Sequence, residues 1–284
     1  MENSELGVGW QTAGVDWLTV TVKDPERQGL LCDEANRLMD GLKWQGYTQK
    51  VWRFKRYNGY MCGSVRWGTR EDGSILMLSG EEASLNWPVA LAWCDNCSRI
   101  DLAVTVTLIA AQPHIARDAY ELLVPPNSDV KAPRKMTFIT TNDGGETFYI
   151  GSRMSDQYGR LYDKGKEMRE NTDIEPGLIW RYEVEFKQYR AQRIAKELLK
   201  YAKTSENYTE NLGETVYKWF LSRGVSPIFA AYNEQPFHTE VYAKLSDDDV
   251  TLRWLSTQVA PSVARLNRNG KGKSVLEALG LLAD

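Results

Sequence analysis

The stretch between Tyr149 and Lys187 holds the residues whose types and spacing could do chemistry. It reads Tyr-Ile-Gly-Ser-Arg-Met-Ser over 149–155, Gly-Arg-Leu-Tyr-Asp-Lys over 159–164, and Trp-Arg-Tyr-Glu-Val-Glu-Phe-Lys over 180–187. Successive side chains of a strand point to opposite faces. As strands, these pieces put Arg160, Tyr162 and Lys164 on one face and Leu161 and Asp163 on the other. Arg181, Glu183, Glu185 and Lys187 share a face opposed by Tyr182, Val184 and Phe186. The apolar face seals a core. A face carrying a phenol, cations and paired carboxylates is what metal-assisted phosphate chemistry needs.

Two earlier strand-like segments add carboxylates. Asp16 lies in Val-Asp-Trp-Leu-Thr-Val-Thr over 15–21, and Asp101 in Ser-Arg-Ile-Asp-Leu-Ala over 98–103. Around Asp101 the residues Ile100, Leu102, Val104 and Val106 fill one face. Asp101, Ala103, Thr105 and Thr107 make a small, polar opposite face. A buried, unpaired Asp is costly. Metal binding offsets that cost, and so does an arginine partner such as Arg99 or Arg181. Asp16, Asp101 and Glu183 are therefore candidate ligands of an oxygen-rich site suited to Mg²⁺ or Mn²⁺. Glu185 is either a further ligand or a base.

These segments resemble the replication initiation factor family. The resemblance rests on Gly-Ser-Arg-x-Ser at 151–155, Arg-x-Tyr-Asp-Lys at 160–164 and Arg-x-Glu-x-Glu at 181–185. The segments at 15–21 and 98–103 and Leu78-Ser79-Gly80-Glu81 fit it too, so it spans about residues 13–265. The family comprises initiators of small rolling-circle plasmids and phages, and relaxases of integrative elements. The resemblance implies that Tyr162 is a nucleophile, flanked by Arg160 and Lys164. A phenol can attack a scissile phosphate and remain attached to it, conserving the bond energy in a reversible link. Among 14 tyrosines the competitors are Tyr217, on a predicted helix, and Tyr149, Tyr158 and Tyr182. The His-hydrophobic-His motif of many rolling-circle enzymes is missing, so carboxylates must take its place if a metal is used.

The implied activity is nicking and rejoining of DNA through a covalent 5′-phosphotyrosine, to initiate rolling-circle replication or strand transfer of a mobile element. Two other readings stay open: a metal-dependent nuclease without a covalent link, and a catalytically inactive origin-binding protein. The implied partner is origin DNA, single-stranded or extruded as a hairpin. A host helicase and a homodimer are implied as well.

Several candidates would contact DNA. Arg153 and Ser155 belong to a turn that can cradle a phosphate through backbone N–H groups. Arg181 lies on the active face. Arg190 and Arg193, with Lys187, Lys196 and Lys200, form a basic stripe on a predicted helix; a solvated helix face explains the stripe equally well. Trp52, Trp67 and Trp93 would either stack unpaired bases or pack in the core.

The 284 residues carry a net charge of −3, which is awkward for a DNA-binding protein. The distribution is uneven. Residues 1–130 hold 12 Lys and Arg against 17 Asp and Glu, whereas residues 131–204 hold 15 against 11. Phosphate contacts are expected on the second segment. The four cysteines include Cys94-x-x-Cys97, with no second pair and only His114 and His238 to complete a metal site. Ordinary reduced thiols are the expectation. No apolar run reaches membrane-spanning length and no signal peptide is visible, so a cytoplasmic location is expected.

The expected fold is α+β with a mostly antiparallel sheet. It would be a duplicated ferredoxin-like domain over residues 1–204, in halves of about 15–110 and 135–203. The resemblance relates it to the nucleotidyl-transferase fold of rolling-circle enzymes. A mainly helical region, 205–284, would pack on it. Helices are predicted over 24–46, 81–92, 113–124, 188–203, 211–222, 249–258 and 272–282. A hairpin is predicted to turn at Asn58-Gly59, and the 81–92 helix to break near Pro88.

Overall fold

The computed structural model describes residues 8–124, 135–168, 175, 177–204, 208–228 and 260–274. The chain forms two compact units, Met1–Val241 and Tyr242–Asp284. The first unit thus runs past residue 204, the boundary expected from sequence. It opens with β1 (Val8–Val22), α1 (Pro25–Trp44), β2 (Lys50–Phe54), β3 (Tyr57–Cys62), β4 (Val65–Arg70), β5 (Gly73–Ser79), α2 (Gly80–Trp93) and β6 (Asn96–Leu108). It continues with α3 (Ile115–Leu123), β7 (Met136–Thr140), β8 (Glu146–Gly151), β9 (Gln157–Asp163), α4 (Lys164–Met168), β10 (Ile179–Lys187), α5 (Gln188–Thr204) and α6 (Tyr208–Leu221). The second unit contains α7 (Ala260–Arg268). The helix predicted over 249–258, and most of that over 272–282, fall outside the described residues. No described helix is long and apolar enough to cross a membrane.

The fold is mixed α and antiparallel β. One ten-stranded sheet runs in the order β2-β3-β4-β5-β1-β6-β10-β9-β8-β7, and every neighbouring pair is antiparallel. The two long strands β1 and β6 sit near its middle with β10 beside them. Their apolar residues Val15, Leu18, Ile100, Leu102, Val104, Val184 and Phe186 are buried. On the outer part of the sheet, α1 packs over β3, β4 and β5 through Leu31, Ala35, Leu38, Met39 and Leu42. Its entry is set by Pro25 and by Asp24, whose side chain accepts from the Arg27 N–H.

Two local expectations change. Asn58 and Gly59 lie inside β3, and the hairpin turns at Lys55 and Arg56 instead, with Lys55 at φ 54°. The glycine serves close approach of strands: a Cβ on Gly59 would stand 2.0 Å from the Trp67 carbonyl oxygen. Helix α2 runs unbroken through Pro88. The missing proline N–H costs one helical bond, while Ala83, Trp87, Ala90 and Leu91 keep their burial.

Helix α6 covers the face of β9 and β10 opposite Tyr162. The Phe220 ring meets Tyr182 edge-on at 5.1 Å, and Trp219 lies directly over Gly159. A Cβ on Gly159 would stand 2.3 Å from the indole, which is itself buried and fixed by a 2.9 Å bond from its N–H to Gln157. Gly159→Ala is therefore expected to destabilise the protein by roughly 1–3 kcal/mol through overpacking, read as a lower midpoint in urea at unchanged slope. An unaltered midpoint would show that the indole yields freely.

Candidate active site

The polar face of the sheet is a grid fixed by register. In one row Thr147, Tyr162, Arg181 and Thr105 stand side by side across β8, β9, β10 and β6. In the next are Tyr149, Arg160, Glu183 and Ala103, and in the third Gly151, Tyr158, Glu185, Asp101 and Trp17. Lys187 and Arg99 begin a fourth. Asp16 joins this face through a β-bulge. Val15 pairs with Leu102 and Trp17 with Asp101, so Asp16 is the extra residue between them. Bulges re-aim side chains in this way.

Every buried carboxylate of the grid meets a cation. Arg99 makes a two-point contact with Asp101, at 2.9 and 2.5 Å, and reaches Glu185 at 2.7 Å. Lys187 also pairs with Glu185, and Arg160 with Glu183. Arg181 bonds Asp16 at 2.6 Å and the Thr105 hydroxyl at 3.0 Å. Burial raises the Asp101 carboxyl above its ordinary range, against the pull of Arg99. Burial also raises Glu183, opposed by Arg160. Isolated charges here would be expensive.

Tyr162 is partly exposed at the border of two clefts. The larger, about 1030 Å³, is lined by Asp16, Glu81, Arg160, Lys164, Glu167, Arg181 and Glu183. The smaller, about 360 Å³, includes Asp143, Lys166, Arg160 and Glu167. Burial pushes the phenol above its usual range, and Glu183 pushes the same way. A nucleophilic role therefore requires a base, or positive charge brought close.

Lys164 is not on the strand. Asp163 ends β9 and caps α4, accepting from the Lys166 N–H at 2.9 Å and, through its other oxygen, from the Gly177 N–H at 2.8 Å. Lys164 begins that helix, bonds Glu167 at 2.9 Å, and still holds its ammonium 6.0 Å from the Tyr162 ring centre. The Asp-Lys of the motif was legible as a helix start, and its reading as strand missed it.

The other expected residues are distributed unevenly. Asp16, Arg160, Tyr162, Lys164, Arg181 and Glu183 come together on the larger cleft. Asp101 and Glu185 lie one row away, do not line that cleft, and are held by Arg99. Arg153 is exposed beside Tyr149 and Tyr158. Ser155 uses its hydroxyl within its own turn, bonding the Ser152 carbonyl at 2.6 Å. The Met154 and Ser155 N–H groups are also taken up there by Ser152, which leaves neither to cradle a phosphate. Arg190 is buried and pairs with Asp156 at 3.6 Å, and Arg193 bonds Tyr189 on its own helix at 3.1 Å. Neither lines the clefts beside Tyr162.

Three of the competing tyrosines, Tyr158, Tyr182 and Tyr217, line neither cleft. Tyr217 is on α6, behind the sheet, and Tyr182 is buried with its hydroxyl accepting from the Ile228 N–H. Trp67 is a core residue, and Trp52 packs against a cluster of Tyr57, Ile75 and Met77 while stacking on Phe54.

The donor chemistry suits a hard divalent cation. Asp16 and Glu183 put carboxylates on one cleft, and Glu81 lines it too. Both Asp16 and Glu183 are engaged by arginines, and among the described residues no three metal-binding side chains converge.

The replication initiation factor family model matches residues 96–279. Two replication initiation proteins from Staphylococcus aureus are 41% identical over 59 residues, covering 20% of this chain. The match spans about a fifth, 19%, of the length of these curated relatives. A solved rolling circle replication initiator protein from Geobacillus stearothermophilus superposes with a TM-score of 0.49 at 17% identity, covering 78% of this chain and 94% of that one.

The Arg160–Glu183 pair gives a direct test of the grid. Arg160→Met leaves Glu183 buried without its cation, and about 3–5 kcal/mol of stability should be lost. Adding Glu183→Gln should recover most of it, because the stranded charge is gone. A double variant no more stable than Arg160→Met would show that packing of the arginine stem matters more than charge.

Proposed function

The chain belongs to the replication initiation factor family, and on that premise we propose that it nicks and rejoins origin DNA through Tyr162. The observation that carries this reading is the meeting of Tyr162 with Arg160, Arg181, Lys164 and four carboxylates, Asp16, Glu81, Glu167 and Glu183, on one open cleft. Of the candidate tyrosines, Tyr162 is the one so surrounded.

The step is an in-line displacement at phosphorus. The Tyr162 oxygen bonds to the scissile phosphate, the bond to the 3′ oxygen breaks, and a free 3′-OH is left. The 5′ side stays on the enzyme as a phosphotyrosine. The phenol proton passes to a carboxylate, and Glu167, which lines both clefts with Tyr162, is placed to accept it. The leaving 3′ oxygen takes up a proton from solvent. Rejoining reverses the steps. Arg181 and Arg160 supply positive charge to the phosphoryl oxygens. Lys164 does so from the start of α4.

Mg²⁺ or Mn²⁺ would be held by Asp16 and Glu183 and, when bound, would polarise the scissile phosphate. Asp101 and Glu185 act as positioning residues through Arg99. The free 3′-OH suits priming of rolling-circle synthesis of a plasmid or phage. Transfer of the covalently held strand, as by a relaxase, uses the same intermediate. A host helicase and a second copy of the chain are partners in this reading, which places the protein in the cytoplasm beside its DNA.

Labelled origin DNA incubated with the protein should become protein-linked on a denaturing gel. Tyr162→Phe should abolish the linked band while origin binding and the unfolding midpoint stay near wild type, since one hydroxyl is removed. Linkage retained by Tyr162→Phe would exclude Tyr162 as nucleophile.

Nicking should stop in EDTA and return with Mg²⁺ or Mn²⁺. Asp16→Asn and Glu183→Gln should each raise the metal concentration needed for half-maximal rate. Full activity in EDTA would remove the cation from the mechanism.

A further inference from the structure

Beyond Tyr149, away from Tyr162, lies a third concavity that the nicking chemistry does not use. Its volume is about 360 Å³, and its walls include Tyr149, Tyr158, Arg153, Met154, Ile139 and Lys135. Tyr149 and Tyr158 stack on each other, with ring centres 5.7 Å apart and planes 16° from parallel. The Arg153 guanidinium stands 5.9 Å from both ring centres. Ile139 is 46% and Met154 92% exposed, so apolar surface is left open to solvent at this rim.

We propose that this concavity is a subsite for one unpaired nucleobase of the strand that Tyr162 cuts. The inference rests on the nicking reading and deepens it.

Four observations support that occupant. First, aromatic and guanidinium planes are the groups on which unpaired bases stack. Second, among the described residues the walls carry Lys135 and Arg153 and no acidic side chain. That suits a polyanion, on a chain whose net charge is −3. Third, the volume lies at the small end of ligand pockets, ~300–1,000 Å³, and fits a base but not a duplex. Fourth, the concavity borders the active cleft. Tyr149 also lines the smaller cleft beside Tyr162. Thr147, two residues before it on β8, pairs with Tyr162. Two strand residues span about 7 Å, roughly two stacked nucleotide steps at 3.4 Å each. A base held here therefore belongs to a nucleotide close to the scissile phosphate.

The turn that carries Arg153 is built for this placement. Gly151, at φ +95°, reverses the chain, and Ser152 and Ser155 lock the turn with their own bonds. Lys187 fixes it from β10 by bonding the Arg153 carbonyl. The Arg153 side chain is thus aimed over the two rings, and its contribution is stacking as well as charge.

The test uses full-length Tyr162→Phe protein, which keeps the DNA uncut, and fluorescently labelled single-stranded origin oligonucleotides. An abasic residue is walked through each position around the nick, and affinity is read by anisotropy. One position should lose roughly 5- to 140-fold on removal of its base, the range for one base–aromatic stack. Adding Tyr149→Leu should weaken the intact oligonucleotide by a similar factor and leave the abasic one unchanged. Tyr149→Phe should bind as the parent does. A flat walk, or equal losses from Tyr149→Leu on intact and abasic DNA, would overturn the subsite. The two readings fail separately. A covalent adduct with a flat walk leaves the nicking reading standing alone. A single base-dependent position without any adduct leaves the subsite and removes the nicking reading.

Discussion

Arg99 holds two buried carboxylates, Asp101 and Glu185, on neighbouring strands. Without it, two like charges would face each other across β6 and β10 with almost no access to water. Its guanidinium also lies 4.8 Å above the Trp17 ring on β1, so one side chain ties three strands in one register. A slip of one residue would turn the carboxylates into the apolar layer beneath, where nothing could neutralise them. Lys187 and the Arg160–Glu183 pair extend the same logic outward to β9. The polar face is therefore a charge-balanced layer whose strand alignment is set by ion pairing on one side and by Leu102, Val104, Val184 and Phe186 on the other.

That layer becomes a site only where the regular pattern breaks. At the bulge two successive residues, Asp16 and Trp17, meet the polar face beside Asp101, so a carboxylate is added to it. Asp163 stops β9 one residue after Tyr162 and starts α4, which brings Lys164 and Glu167 around the phenol. Tyr162 thus stands where the strand ends, with sheet charges on one side and helix charges on the other. Both irregularities are short; Arg181 holds Asp16, and the Asp163 carboxylate holds the second by accepting from the Lys166 and Gly177 N–H groups. Preorganised charge of this kind is what phosphoryl chemistry draws on.

Much of this was legible because strand alternation has period two. The assignments of Arg160 and Tyr162, and of Arg181, Glu183, Glu185 and Lys187, to shared faces followed from it, as did β10 over 179–187. The α+β class with a mainly antiparallel sheet followed from the same pattern. What was not legible depended on three dimensions. Arg181 meets Asp16 from 165 residues away, and neither local sequence nor charge count names that partner. The bulge that presents Asp16 has no composition signal. Asn58-Gly59 carries a strong turn signal, but the glycine is spent on the close approach of β3 and β4. The basic stripe on α5 has helical spacing, yet burial of Arg190 depends on where that helix packs.

The pairing also changes what net charge means for DNA. The acidic excess of the chain includes carboxylates that arginines have already neutralised, and these repel an approaching strand little. The same pairing uses up cations, so the surplus of Lys and Arg in residues 131–204 overstates the charge free to meet phosphate. In the proposed reading, a phosphate that engages Arg181 or Arg160 shares their positive charge with Asp16 or Glu183. That sharing would weaken the counter-charge of a carboxylate, and in this setting that is costly. On that reading, phosphate binding by these arginines and cation binding by these carboxylates would favour one another, since each offsets the cost that the other creates. Arg153 and Lys135, in contrast, line a concavity with no acidic wall among the described residues. In the proposed reading, phosphate contacts there would carry no such competition.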